Sequence, residues 1–113
     1  MRNINLQLVK NDSKTWRIVI KKNNLPEDIS GWSLYFTCKT DFNDADSAAI
    51  ITKNVTFPHN AESEAGIGYL ILTSADTNVA LGELYYDMKM IDINYKETFM
   101  RGKLNILFTV RKN

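Results

Sequence analysis

The side chains that could do covalent chemistry are one cysteine and one histidine. Cys38 and His59 are the residue types of a nucleophile and its general base, as in a cysteine hydrolase. Cys38, however, falls on the apolar side of an alternating segment, and no Asn or Asp is placed to orient the imidazole. We expect Cys38 to be buried as a small hydrophobic residue, with no catalytic residue and no enzymatic activity.

A short acidic loop holds carboxylates that could bind a cation, namely Asp41, Asp44 and Asp46. An EF-hand starting at Asp41 needs an oxygen ligand at its fifth position, Gly at its sixth and Glu at its twelfth. The sequence has Ala45, Asp46 and Thr52 there, so it does not fit. A weaker, irregular calcium site stays open, but we predict a solvated connection between strands and no metal.

Motifs for bound cofactors do not occur in the sequence. One Cys and one His cannot supply a closed zinc site. A Gly-rich phosphate loop, a nucleophile elbow and a dinucleotide fingerprint are all missing. Carboxylates scattered over loops neither support nor exclude a glycosidase pair. We therefore predict no cofactor.

Length and composition favour one globular domain over residues 1–113. A chain of 113 residues with 44% apolar and 24% charged residues can bury a core without disulfides. The net charge of +1 gives no field for nucleic acid or an anionic membrane, although a basic stripe can hide in a neutral total. The sequence has no signal-peptide pattern and no apolar run near the ~20 residues of a membrane span. We therefore expect a protein that is made in the cytoplasm and binds neither nucleic acid nor a membrane.

Period-two alternation of apolar residues recurs along the whole chain and predicts strands with one buried face. Residues 3–9 and 15–21 read as a hairpin, because only about five polar residues separate them. A later hairpin turns at residues 92–96, with Asn94 suited to a left-handed position, and Gly102 is expected to break or bulge the last strand. Eight or so short strands indicate an all-β, antiparallel β-sandwich. The predicted inward residues include Ile4, Leu6, Leu8, Trp16, Ile18, Ile20, Trp32, Leu34, Phe36, Cys38, Ile51, Val55, Phe57, Leu104, Ile106, Phe108 and Val110.

The segment 73–90 sets the topology. A polar crossover, in which Asp76, Thr77 and Gly82 are expected to fix the path, enters an alternating strand. Tyr86 is the candidate for a buried ring whose hydroxyl fixes the corner, as in many antiparallel sandwiches. Tyr86 and Met88 are expected to point inward, and Tyr85 and Lys89 to point outward.

Four segments together resemble the immunoglobulin-like sandwich domain of tailed-phage and prophage structural proteins, including the N-terminal domain of upper-baseplate proteins. They are residues 31–39 (GWSLYFTCK), 44–53 (DADSAAIITK), 72–77 (LTSADT) and 82–89 (GELYYDMK). The resemblance covers most of residues 15–111. In the family pattern one residue separates the glycine from the two tyrosines, whereas here two residues follow Gly82 before Tyr85. The last strand of the family ends in Val-Thr-Arg, whereas this sequence reads Thr-Val-Arg at 109–111.

The resemblance implies a non-enzymatic virion part of the tail, baseplate or neck, made in the bacterial host cytoplasm. Its partners would be other phage structural proteins, and it would be a homo-oligomer in the virion. The expected docking surface comprises Tyr35, Tyr85, Lys89, Asp41, Asp44 and Asp46, since exposed tyrosines suit protein interfaces. The alternative is a carbohydrate-binding β-sandwich that contacts host surface glycans. A nucleic-acid face built from Tyr35, Tyr85, Lys39 and Lys89 is less favoured.

Overall fold

The protein consists almost entirely of short β-strands. The computed structural model describes residues 2–93 and 95–108. In this part of the chain the strands are β1 (Arg2–Asn3), β2 (Leu6–Val9), β3 (Lys14–Val19), β4 (Lys21–Lys22), β5 (Leu25–Pro26), β6 (Ser33–Lys39), β7 (Ile51–Thr56), β8 (Ile67–Leu72), β9 (Gly82–Asp92) and β10 (Tyr95–Leu107). The all-β prediction is confirmed. The helical content of the described residues is a 3₁₀ turn, Asp46–Ala48, and a four-residue helix, α1 (Ala61–Glu64), neither long enough to cross a membrane.

The strands form two sheets and a small hairpin. The main sheet runs β1-β10-β9-β6-β7, and β2 continues the edge that β1 begins. The second sheet has two strands, β3 and β8, and β4 pairs with β5. Buried side chains from both sheets belong to one hydrophobic core, and the rings of Trp16 on β3 and Phe36 on β6 lie 5.6 Å apart.

The core is built from one face of each strand, as the alternation predicts. On β6, Leu34, Phe36 and Cys38 are fully buried while Tyr35 between them is exposed. On β9, Tyr86 and Met88 are buried and Tyr85 and Lys89 lie on the other side, so the predicted register is confirmed. The predicted inward residues that lie at the rim of the core, among them Trp16, Trp32 and Val55, are half-buried.

The pairing of the first strands differs from the prediction. Residues 3–9 and 15–21 do not form a hairpin: β1 and β2 pair with β10, and β3 pairs with β8 in the other sheet. The polar residues between β2 and β3 cross between the sheets, a path that alternation cannot distinguish from a turn. Because β1 and β2 run parallel to β10, the main sheet is mixed rather than wholly antiparallel.

Two details of β10 also correct the prediction. The irregularity in its pairing with β9 lies between Thr98 and Met100, not at Gly102. Gly102 is instead required by a close approach, because a Cβ there would stand 2.2 Å from the carbonyl oxygen of Ile4. Phe108, predicted to point inward, lies past the end of β10 and is 69% exposed. The predictions for Asn94 and Val110 fall outside the described residues.

The buried tyrosine of β9 holds the first strand rather than the crossover corner. The hydroxyl of Tyr86 donates a hydrogen bond to the carbonyl of Ile4, in the break between β1 and β2. Burial, with a smaller effect from Cys38, raises the pKa of Tyr86 to about 12, so the hydroxyl stays protonated and remains a donor. This bond ties the outer edge of the main sheet to its central strand.

The crossover from β8 to β9 is fixed by polar contacts of Asp76 and Thr77. The Asp76 carboxylate accepts the backbone N–H of Thr73 at 2.8 Å and pairs with the ammonium of Lys53 at 3.0 Å. The fully buried Thr77 donates its hydroxyl hydrogen to the carbonyl of Asp12 at 2.7 Å. The predicted role of these two residues is confirmed, and Gly82 ends the crossover at a φ of 134°.

We expect Tyr86→Phe to lower the free energy of unfolding by about 1 kcal/mol, because it removes one hydrogen bond and keeps the ring in the core. Denaturant unfolding followed by fluorescence measures the change. Tyr35→Phe, which alters an exposed ring, is the matched control and should stay within about 0.5 kcal/mol. Equal losses for both variants would contradict the role given to the Ile4 contact.

We expect Asp76→Ala to cost about 1–2 kcal/mol of unfolding free energy at pH 7. The hydrogen bond from the Thr73 backbone and then the contact with Lys53 hold the pKa of Asp76 below 3.8. A lowered folded-state pKa stabilises the fold above the unfolded value, and this contribution disappears as the pH falls through the folded value. The difference between wild type and variant should therefore shrink below about pH 4. A difference that stays constant down to pH 2 would refute this assignment.

Candidate docking surface

The side of the main sheet that faces away from the second sheet, called here the outer face, carries the predicted docking residues. Tyr35 on β6 pairs directly with Lys89 on β9, and Lys39 pairs with Tyr85. Paired residues of antiparallel strands point to the same side. Tyr35, Tyr85 and Lys89 therefore lie on one surface, as predicted from their alternation.

The acidic loop lies against this face and is held there by one lysine. The Lys39 ammonium donates to the Asp46 carboxylate and to the Asp44 carbonyl, both at 2.8 Å. Lys39, by hydrogen bond and charge, and then Lys89 and Lys96 lower the pKa of Asp46. The structure thus brings all six predicted docking residues to one side of the molecule.

Phe42, which lies in the acidic loop but was not among the named docking residues, also belongs to this surface. Its ring meets the ring of Tyr85 edge-on at 5.5 Å between centroids, yet Phe42 remains 69% exposed. Edge-to-face ring pairs typically contribute about 0.5–1.5 kcal/mol of stability in addition to the burial of their apolar surface, so the contact orients both rings. An aromatic residue in an otherwise acidic and small loop was the available signal.

The carboxylates of the loop mostly stabilise the loop itself. Asp41 accepts the backbone N–H of Asn43 at 3.0 Å, and Asp44 accepts that of Asp41 at 3.3 Å. The first contact is an Asx turn of the kind that Asp favours, and the second closes the same turn from its other end. Nowhere in residues 2–93 and 95–108 do three or more His, Cys, Asp or Glu side chains gather as metal ligands would.

Two neighbouring grooves run across the outer face and share Thr37, Lys39 and Asp87. The larger, about 590 Å³, extends between Phe42 and Tyr85 on one side and Arg101 on the other. The smaller, about 220 Å³, extends past Tyr35 and Lys89 to Lys96. The floor is therefore a polar strip with tyrosines on both sides.

The strands of the outer face carry more cations than anions. The cations are Lys39, Lys89, Lys96, Arg101 and Lys103, and the strand anions are Glu83 and Asp87. Lys103 pairs with Glu83 at 3.5 Å, and Lys39 with Asp46. A net charge of only +1 for the chain thus conceals a basic strip. Lys39 and Lys89 were expected on this face, but Arg101 was not.

The cysteine and the histidine lie far apart. Cys38 is fully buried, and burial, with a smaller effect from Asp87, raises the pKa of its thiol to about 12. The imidazole of His59 lies against Gly31, since a Cβ there would stand 3.2 Å from Nε2. Gly31 precedes β6 and Cys38 lies near the end of that strand, and the extended part from Ser33 to Cys38 alone spans roughly 16 Å at 3.3 Å per residue. The geometry does not form a nucleophile–base dyad.

We expect Lys39→Met to release the acidic loop while leaving the core intact. Backbone amides of residues 44–46 should exchange with solvent several times faster, and the pKa of Asp46 should rise toward 3.8. Both are measured by NMR. Lys103→Met removes the partly exposed partner of Glu83 and is the control. If the exchange rates and the Asp46 pKa do not move, Lys39 does not anchor the loop.

Comparison with known proteins gives distant structural similarity but no sequence match. No protein-family model matches the sequence, and no curated protein matches it. Among solved structures, the chain is similar to the N-terminal domain of phage TP901-1 ORF48, with a TM-score of 0.41 and 11% sequence identity. The alignment covers 91% of this chain and 82% of that one. At such values the function must be argued from the residues of this chain.

Proposed function

We propose that the protein is a non-enzymatic structural component of a phage or prophage virion that docks through its outer face. The observation that carries the proposal is the convergence of Tyr35, Phe42 and Tyr85 with a basic strip on the sheet face that the second sheet does not cover. Tyrosine and arginine are enriched at protein interfaces because they combine large contact area with hydrogen bonding.

The virion setting rests on the sequence resemblance, whose motifs coincide with structural features of this chain. The LTSADT motif contains Asp76 and Thr77, which fix the crossover, and the GELYYDMK motif contains the buried Tyr86. We infer an immunoglobulin-like arrangement in which β3 and β8 oppose β10, β9, β6 and β7. These motifs support a fold and a setting in the tail, baseplate or neck, and they bring no catalytic residue.

Charge on the outer face suggests how copies would associate. The basic strip of β9 and β10 lies beside the acidic loop, where Asp41 is exposed. The acidic loop of one copy can therefore face the basic strip of the next, a head-to-tail contact that closes into a ring when the rotation permits. Weak contacts repeated around a ring add through multivalency, so each can be small. Homo-oligomerisation and docking to other phage structural proteins are thus parts of one proposal.

A second candidate function is binding of host surface glycans. The larger groove has an aromatic wall, Phe42 and Tyr85, and polar side chains opposite, including Asn5, Asp87 and Arg101. Such a groove suits a sugar ring, which stacks on aromatic faces and hydrogen-bonds along its edges. A glycan array separates the two candidates, since a docking module without sugar affinity gives no hits.

We expect the double variant Tyr85→Ala/Lys89→Glu to reduce incorporation into virions about tenfold or more, because it removes a ring and reverses a charge on the outer face. Mass spectrometry of gradient-purified particles from the phage or prophage that encodes the chain measures copy number. Tyr69→Ala/Glu64→Lys also removes a ring and reverses a charge, away from the outer face and from β3, and is the matched control. Thermal unfolding verifies that both variants are folded.

The result that would overturn the proposal is a wild-type chain absent from purified particles and strictly monomeric by light scattering. Equal incorporation of the outer-face variant and wild type would instead overturn the assignment of the surface. A glycan-array hit that is lost in Phe42→Ala would favour the second candidate.

A further inference from the structure

Among the described residues, 2–93 and 95–108, the core is incompletely covered on one side. Half-buried apolar residues at the rim of the core concentrate in one groove of about 970 Å³, including Leu6, Trp16, Ile20, Trp32, Phe99 and Met100. The cause is the width of the second sheet. Two strands face the broader main sheet, so part of the inner surface formed by β2 and β10 lies open beside β3.

The groove runs along the free edge of β3 rather than over one of its faces. Every residue from Trp16 to Lys22 lines it, so it meets both inward-facing and outward-facing side chains of the same strand. Within the described residues β3 has one partner strand, β8, on its other side. An open strand edge and an apolar floor therefore occur side by side.

The hydrogen bonds between β3 and β8 show which backbone groups of β3 point away from β8. Ile20 donates its N–H to the Gly66 carbonyl at 2.8 Å, on the β8 side. In an antiparallel ladder the bonded residues alternate, so Trp16 and Ile18 also bond to β8. The backbone N–H and C=O groups of Thr15, Arg17 and Val19 then point outward along the groove.

We propose that this edge binds an extended segment of a partner protein that bears acidic residues, which pairs with β3 and lays apolar side chains into the groove. A strand added about 4.8 Å from β3 lies over the exposed inner surface of the main sheet. Main-chain hydrogen bonds would supply affinity, and the apolar pockets would select alternate side chains.

The positive charge of β3 and β4 favours an acidic partner segment over a second copy of the chain. Residues 14–22 read KTWRIVIKK, with four cations and no carboxylate. Edge-to-edge pairing of two copies would bring these cations together, and like charges on paired strands are destabilising. An acidic segment would instead meet Arg17, Lys21 and Lys22. These three cations outnumber the two carboxylates that line the same groove, those of Glu27 and Glu97.

The two tryptophans of the chain both line the groove and report its occupancy. The probe is the synthetic heptapeptide Glu-Val-Glu-Val-Glu-Val-Glu, blocked at both ends. We expect a saturable change in tryptophan fluorescence, and NMR should show slower exchange of the Thr15, Arg17 and Val19 amides. A peptide with lysine in place of each glutamate, and one with N-methylated backbone amides, should bind at least about tenfold more weakly.

Val19→Pro removes one outward N–H and should weaken binding about fivefold to tenfold, the typical effect of one hydrogen bond. Proline is tolerated at such a position on an edge strand. Ile71→Pro makes the same change on β8, at the far edge of the same sheet, and should leave binding unchanged. Tyr85→Ala/Lys89→Glu should also bind the peptide normally, so failure of the outer-face proposal is distinguishable.

Three results would overturn the proposal: no fluorescence change up to about 1 mM of the acidic peptide, equal binding of the lysine peptide, or equal weakening by Ile71→Pro. Circular dichroism checks that both proline variants keep the wild-type fold. Should Val19→Pro unfold the chain, Lys21→Glu/Lys22→Glu replaces it, and an unchanged affinity for the acidic peptide would then refute the role of charge.

Discussion

Burial of every second side chain of β9 is the constraint on which the other surfaces of this protein depend. β9 lies between β6 and β10, and its inward residues Leu84, Tyr86, Met88 and Met90 are at most 7% exposed. A slip of one residue would carry Asp87 and Lys89 into the core and expose the apolar set. Because that exchange is so unfavourable, the register is strongly specified. The outer face, with its tyrosines and cations, follows directly from it.

The parts of the fold that alternation determines were predictable from the sequence. The faces of β6 and β9, the burial of Cys38 and the polar crossover at Asp76 and Thr77 depend on local pattern and are confirmed. Pairing between distant segments was not predictable in the same way. The parallel pairing of β2 with β10 joins residues about a hundred positions apart, and no local signal carries that information.

The candidate site shows the same division. Alternation placed Tyr35, Tyr85 and Lys89 on one face, whereas the contact of Phe42 with Tyr85 depends on how a long loop folds back. Arg101 joins the basic strip because β10 pairs with β9 at Asp87, a register that the sequence does not state. The hydroxyl of Tyr86 likewise bonds to the backbone of Ile4, because the break between β1 and β2, and not the crossover, lies next to the ring.

The parallel placement of the first and last strands has a mechanical consequence. Arg2 pairs with Met100 and Val9 with Leu107, so the chain enters this pair at one end and leaves it at the other. Tension applied through the two ends would act along both strands in opposite directions and load their hydrogen bonds in shear. Bonds loaded in shear must break together, whereas bonds at a peeled hairpin break one at a time. The Tyr86 contact with Ile4 also ties the segment between β1 and β2 to β9. The parallel pairing at this edge would therefore resist such tension better than a hairpin of the same length.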